Sequence, residues 1–501
     1  MTQPIRIGLW TGAFGLFIVA LFGEQSAIIA SLIAGIIAGL VLRARLTDAT
    51  TAMAIREGAI AGAVAMVLIV VGMILRVGLL DGLTGQRVPT LAATILTGAI
   101  AAVLAIGLGA WLSASGTLPA QAASIGLWAT LGLIIAVYPF LDSFIGLGWI
   151  GTVIISLTYI LLALGLNIVV GYAGLLDLGY AAFFAIGAYA NALLNSGHLA
   201  NQIPGYQFQL SFWLVIWVAA AAAAIFGLIL GAPTLPLRGD YLAIVTLGFG
   251  EIVPIVFRNL DKLSLGIGSW TIIEEFNLTG GDPGITAIGV PTLPGVNFAD
   301  RSNQIPWYLL LILIILFCVF LINRLRASRM GRAWMALRED ELAAAAMGID
   351  IVRTKLLAFS MGALIAGFAG AFYASYVSGA FPSSFDFSVS VIVLCMVILG
   401  GLGNMAGVIV GGLIIELSDR LFLPQLSVFI QQIANTTNNE VLRRINPNDY
   451  RLLLFGLVLV LMMQIRPEGL LPSARRKAEL HPDPTSEGAQ EQTNLYDVET
   501  A

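Results

Sequence analysis

Long apolar runs, each closed by a polar interruption, fill the chain from its first residues to about position 463. A hydrocarbon core of roughly 30 Å needs about 20 apolar residues per helix, and fewer where a segment is broken and shielded by protein. On that measure four spans come first, at 5–21, 26–42, 58–80 and 91–112, and a polar break at 113–124 follows them. Ten more are predicted at 125–140, 150–170, 178–194, 212–230, 241–257, 307–322, 356–376, 388–399, 405–417 and 452–463. No convincing small-residue cleavage site follows the first segment, so it reads as a retained span. The pattern is that of an all-α polytopic membrane protein.

One polar island, 324–355, stands between two strongly apolar segments and reads RLRASRMGRAWMALREDELAAAAMGIDIVRTK. Seven basic residues (Arg324, Arg326, Arg329, Arg332, Arg338, Arg353, Lys355) outnumber four acidic ones (Glu339, Asp340, Glu341, Asp350), an excess that marks a cytoplasmic loop. Its middle, 338–349, has Leu342, Ala345 and Ile349 at i, i+3 and i+7, which predicts a short amphipathic helix. Alternating the spans outward from this loop places Arg43, Arg45 and Arg56 inside. It also places Arg466, Arg475, Arg476, Lys477 and both termini inside. The segment 419–451, with Arg420, Arg443, Arg444 and Arg451, falls outside and is the one stretch that resists the scheme. Two large outer loops result, 259–306 and 419–450. The first carries Gly- and Pro-rich turn signals around Thr279–Ile285 and is expected to be ordered. Residues 474–501 lack apolar periodicity and read as a disordered cytoplasmic tail.

Composition agrees. Of 501 residues 58% are hydrophobic and only 11% charged, and the mean hydropathy is +0.92. Ordinary soluble domains carry about 25% charged residues. No basic stripe with interleaved aromatics exists outside the predicted cytoplasmic loops, which argues against nucleic-acid binding. Cys318 and Cys395 both lie in apolar segments and read as packing residues. His198 and His481 are far apart, one in a loop and one in the tail, with no metal-ligand spacing. The chain contains no GxxxxGK[ST], GxSxG or HExxH. Transport fits better than catalysis, with no metal and no cofactor called for.

Polar groups inside the spans are the candidates for a transport path. The stretch 164–194 has glycine at 165, 171, 174, 179 and 187, with Asn167, Tyr172, Asp177 and Tyr180 as its main polar residues. Irregular backbone at membrane depth is tolerated only where protein or a water-filled cavity satisfies it. The same glycines also suit a tight helix crossing with a cytoplasmic turn at 172–178, in which Asp177 caps the next helix. Glu251 is the clearest intramembrane acid, expected to face the bundle interior either on the path or in a fixed ion pair. Arg76 can snorkel. A second glycine break at 399–404 reads as a cytoplasmic hairpin turn.

Four of these stretches, LGLNIVVGYAGLLDLGYAAFFAIGAYA (164–190), PTLPLRGDYLAIVTLGFGEIV (233–253), LTGGDPGI (278–285) and GRAWMALREDELAAAAMGID (331–350), together resemble the LivM-type permease of bacterial branched-chain amino acid ABC importers. The resemblance covers about 125–472. It implies a ten-helix permease core with broken helices, plus an extension of about four helices at 1–115. It implies that 324–355 is the loop coupling the permease to its ATPase, with 341–348 resembling an EAA-type coupling helix although ELAAAAMG departs from the strict pattern. Gly331, Arg332, Arg338, Glu339, Glu341, Leu342 and Gly348 are the coupling residues so implied. Asn167, Tyr172, Asp177, Tyr180 and Glu251 remain candidates for the substrate path. The implied partners are a second permease of LivH type, two ATP-binding subunits and an extracytoplasmic substrate-binding protein, assembled in the bacterial inner membrane among its lipids around an amino acid substrate. Relatives of the family carry urea or amides. An ion-coupled carrier using Asp177 and Glu251 is the competing class, but it leaves the polar island without a role.

Overall fold

The computed structural model describes residues 148–471, apart from 201, 203–208, 235–239, 268–269, 437–439 and 466–468, together with scattered positions between 5 and 142. Most of the four spans before residue 113, the 113–124 break, most of the 125–140 span and the 474–501 tail lie outside the described residues. The chain divides into two compact units, one of 1–150 with 420–449 and one of 151–419 with 450–501.

The larger unit is a helical bundle. In chain order its helices are α1 (Ile150–Leu166), α2 (Tyr180–Asn195), α3 (Phe212–Thr234), α4 (Asp240–Asn259), α5 (Ile305–Ala327), the short α6 (Arg329–Glu339) and α7 (Glu341–Ala346), α8 (Ile351–Val377), α9 (Phe387–Gly400) and α10 (Met405–Leu417). Its last helix, separated from these in sequence, is Arg451–Ile465. Every span predicted from 150 onward is therefore a helix, with ends displaced by a few residues. Among the described residues six helical stretches are long and apolar enough to cross a membrane.

The core forms where α8 packs between α2 and α3, and glycine brings those backbones together. A Cβ on Gly187 of α2 would lie 2.6 Å from the Gly367 Cα, and one on Gly367 would lie 2.7 Å from the Ala220 Cα on α3. Hydrocarbon tails are as apolar as leucine, so helices in a bilayer associate through close packing of this kind. The α9–α10 hairpin is built the same way: Gly407 and Gly411, spaced i, i+4, rest on Gly400. Helices α1 and α8 are largely buried, whereas α3, α4 and α5 each leave one face exposed.

At one end of the bundle the 259–306 loop is ordered, as its turn signals predict. It holds two short antiparallel strands, β1 (Leu263–Ile267) and β2 (Trp270–Phe276). Its strand β3 (Ile285–Thr286) then pairs with β4 (Gly379–Ala380), just past α8. Thr279 donates to the Phe257 carbonyl at 2.6 Å, the Trp307 indole donates to the Phe298 carbonyl at 3.0 Å, and Arg301 donates to Tyr376 O and Ser378 Oγ.

The smaller unit shows α11 (Leu423–Thr436) and α12 (Glu440–Arg444), so most of the described part of the predicted outer loop 419–450 is helical. Ser427 ties α11 to the following turn through a 2.7 Å bond to Asn446 Oδ1. The closing helix Arg451–Ile465 of the larger unit becomes α13.

These close approaches generate a test. Gly367→Leu should destabilise the purified protein by about 1–3 kcal/mol or more, because a side chain there meets backbone rather than movable atoms. Gly248, where an added Cβ meets nothing within 4 Å, should accept Ala with no loss. Thermal melts of the two variants in detergent check the contrast.

Candidate functional site

The break that the glycine-rich stretch predicts lies at the end of α1. There the helix changes to a π-helical turn, Asn167–Tyr172, after which Ala173 N–H donates to Ile168 O at 3.1 Å and Leu175 N–H to Val169 O at 3.0 Å. Such wide turns leave carbonyls misaligned for the ordinary helical ladder and recur at functional sites. The fully buried Asn167 stands at the start of the turn, and its Oδ1 accepts the Gly403 N–H of the α9–α10 turn at 2.9 Å. A Cβ on Gly171 would sit 2.0 Å from that same oxygen. Gly403, at φ +78°, supplies a backbone that few other residues adopt.

Arg338 joins this cluster from the polar island. Its Nη1 donates to the Gly171 carbonyl at 2.7 Å, and its aliphatic stem fills the space beside Gly174, where a Cβ would come within 2.8 Å of Cγ. Two residues predicted for separate roles, Arg338 for coupling and Asn167 for the path, thus meet on one broken turn. Both glycine breaks converge there as well. Tyr172 is buried beside them.

The island itself corrects one expectation. The predicted single helix 338–349 is two helices, because Asp340 adopts an extended conformation and caps the second, its Oδ1 accepting the Leu342 and Ala343 N–H groups at 2.8 and 2.9 Å. Arg338 and Glu339 therefore close α6, while Glu341 opens α7. Ser328 caps α6 through the Gly331 N–H, and a Cβ on Gly331 would meet the Leu325 carbonyl at 2.4 Å. Arg332 returns to the Ala327 carbonyl at 3.0 Å. Buried Trp334 donates its indole N–H to Thr354 O at 2.9 Å. Glu341 pairs with Lys355 of α8 at 2.6 Å, and Lys355 is only 4% exposed. Gly348, at φ +83°, ends the segment. Only Ala344 of α7 is buried, whereas Leu342 and Met347 are 70% and 83% exposed. Leu342 of α7 and Met347 just past it face out of the molecule.

Asp177 is not the helix cap that its position suggested. The residue before α2 is Gly179, and Asp177 Oδ1 accepts that glycine's N–H at 2.9 Å in a turn ahead of the helix. The carboxyl is enclosed, and it borders a void of about 10 Å³ lined by Phe183, Leu230, Val245, Thr246, Phe249 and Phe359. That space approximates one water and is far smaller than an amino acid. Burial pushes the Asp177 carboxyl up to about 7, the Gly179 N–H pulling the other way. Tyr180 donates to Gly362 O on α8 at 2.7 Å, a helix-to-helix tie.

Glu251 also departs from expectation. It lies on the exposed face of α4 rather than in the bundle interior, because the inward positions of that helix are taken by Leu242, Ala243, Thr246, Gly250 and Val253. It has no hydrogen-bond or ion-pair partner among the described residues. Among the described residues the larger unit buries, besides Asp177, the acid Glu416, fully enclosed near the end of α10. Sequence reading passed over Glu416 because it stands close to a predicted loop. Also missed were Asn191, which donates to Ala371 O and Ser375 Oγ of α8, and Ser390, which accepts the Ala181 N–H. Single polar residues in apolar runs were the available signal. Among the described residues no cluster of His, Cys, Asp or Glu has metal-holding geometry.

This architecture, apolar helices with a broken turn held by a charged element from outside the span, is that of a transport permease. The family model described as "Branched-chain amino acid transport system / permease component" matches residues 148–463, and the chain belongs to that family. It is 38% identical over 369 residues, 70% of this chain and 75% of the relative, to the high-affinity branched-chain amino acid transport system permease protein LivM of Escherichia coli K12. It is 25% identical to a probable LivM permease of Methanocaldococcus jannaschii, over 63% of this chain and 90% of that one. To the LivH permease protein of Salmonella typhimurium it is 23% identical, over 56% of this chain and 86% of that one. No solved structure matches.

The raised Asp177 carboxyl generates a pH prediction. Between about pH 4 and 7 the folded protein holds a proton that the unfolded chain releases, so stability falls as pH rises across that window. Asp177→Asn, which keeps the acceptor for Gly179, should flatten that slope. Melts from pH 4.5 to 7.5 read it, and parallel curves for the two proteins contradict it.

Proposed function

We infer that this chain is a transmembrane permease subunit of an ATP-driven importer for branched-chain or other neutral amino acids, and that separate ATPase subunits dock on α7. The family membership supports the transport role. The observation that carries the docking is the orientation of α7. An exposed apolar surface beside a membrane marks an interaction site, and here Leu342 and Met347 project from a helix anchored behind by Glu341–Lys355 and, through α6, by Trp334–Thr354. The helix is mounted on α8 and offers its apolar side to a partner.

In this reading a second permease of the LivH type completes the path, and an extracytoplasmic binding protein delivers substrate to the end of the bundle formed by 259–306 and β4. The island lies in the cytoplasm with both termini, in the inner membrane. The part matched by the family model, 148–463, is the core of this reading, and 1–115 is an extension to it. ATP binding closes the ATPase dimer, α7 moves with it, and the bundle rocks between outward- and inward-facing states. Arg338 passes the movement on, since it binds the carbonyl at the break of α1.

Two experiments test this on the assembled importer. Leu342→Asp with Met347→Asp alters only exposed side chains, so the protein should insert normally while co-purification with the ATPase subunits and uptake fall by at least tenfold. Retained co-purification rules out α7 as the dock. Arg338→Ala should keep the ATPase subunits bound and their hydrolysis measurable, yet lower substrate uptake per ATP several-fold.

A further inference from the structure

The exposed faces of the peripheral helices differ in one respect. Along α3 the outward residues are apolar, among them Leu214, Trp217, Ile225 and Ile229, and along the middle of α5 they are leucines and phenylalanines. Either face suits lipid. The outward face of α4 carries Ile244, Val245, Ile252 and Ile255 at helical spacing, but also Glu251, near the middle of the helix. Gly248, one turn earlier on the same face, leaves open space where a side chain would stand. Among the described residues Glu251 is the only ionisable group in the exposed middle of α3, α4, α5 or α13.

A carboxylate at that depth cannot be left against hydrocarbon without a partner or water. The two ends of α4 fix its place in the bundle. Thr246, toward its first end, accepts the Leu178 N–H beside the α1–α2 break at 3.1 Å. Arg258, in its last turn, reaches Asp282 and Asp386 at the opposite end, at 3.5 and 3.8 Å. Glu251 lies between these anchors, where no charge among the described residues supplies a counter-ion.

We propose that the outward face of α4 borders a water-containing seam shared with the second permease, and that Glu251 is the anionic group in that seam which receives the ammonium group of a passing amino acid. The proposal rests on the importer reading above. The occupant across the seam is a chain of the same fold, consistent with the likeness of this sequence to both LivM and LivH permeases. Charge complementarity selects the ligand. A neutral amino acid brings one ammonium and one carboxylate into the membrane, and a single acid without a fixed cation beside it meets the first. The gap at Gly248 gives an approaching ammonium group room, and the isoleucines around it suit an aliphatic side chain.

The test uses the complete importer in liposomes with its binding protein and radiolabelled leucine. Glu251→Gln should lower leucine uptake at least tenfold, while ATP hydrolysis stimulated by the loaded binding protein stays within about twofold of wild type; Glu251→Asp should retain much of the uptake. Wild-type uptake by the Gln variant overturns the proposal. If the Gln variant does not assemble, Gly248→Cys decides. The native cysteines are buried. In the assembled complex the new thiol should react with a charged, water-soluble methanethiosulfonate, and leucine with binding protein and ATP should change the rate. Reaction only with a lipid-soluble maleimide places the face against lipid and overturns the proposal. A wild-type complex that takes up leucine without ATP dependence refutes the importer reading instead, whatever Glu251 does.

Discussion

A transmembrane helix that stops being regular partway must find partners for the carbonyls it releases, and at Gly171 the partner is Arg338. Much of this bundle follows from that requirement. The turn Asn167–Tyr172 departs from the α-helical ladder, and most of its residues are buried away from solvent. Asn167 answers from inside the turn by holding Gly403, and the arginine answers from a separate element. A charged donor serves well here because a guanidinium hydrogen bond to a carbonyl is stronger than a neutral one. It also makes the integrity of the turn depend on where α6 lies. A structural need of the membrane part is met by a piece outside it, and that dependence gives an external force a grip on the helix.

Glycine sets the other half of the design. Where α8 meets α2 and α3, backbones approach so closely that no side chain fits between them. Contacts made without side chains have few adjustable parts, so a bundle packed this way moves as a body. At Gly171, Gly174 and Gly403 glycine has the opposite use, making room for Asn167 and for the stem of Arg338. Packing without side chains in the middle and a side-chain-filled break at one end leave the break as the more adjustable part.

From residue 150 onward sequence alone carried the spans well, since long apolar runs bounded by polar breaks admit few other interpretations. The polar island was legible because excess arginine and a short apolar stripe both survive without coordinates. Its division at Asp340 was not. Leu342, Ala345 and Ile349 keep helical spacing across the island, and only the capping bonds of Asp340 reveal that the backbone stops and restarts. The meeting of Arg338 with Asn167 was equally hidden, because no local pattern links residues so far apart. Glu251 was expected inside on the general rule that membrane acids face protein. The rule concerns the whole assembly, and this chain is one part of it. Asp177 was ambiguous for a different reason: the same residue type serves a cap, a turn or a path, and only burial distinguishes them.

The mounting of α7 has a consequence for how such a protein diverges. Its anchors, Lys355, Trp334 and Thr354, are buried or turned inward, while the side chains of Leu342 and Met347 are largely exposed. Substitutions on the outer residues disturb few contacts of the bundle, whereas substitutions on the anchors shift the helix that carries them. On the docking role proposed above, the segment is a socket whose fitting can be recut without disturbing the wall behind it, so a duplicated copy of this gene would need changes at only a few exposed positions to take a different engine.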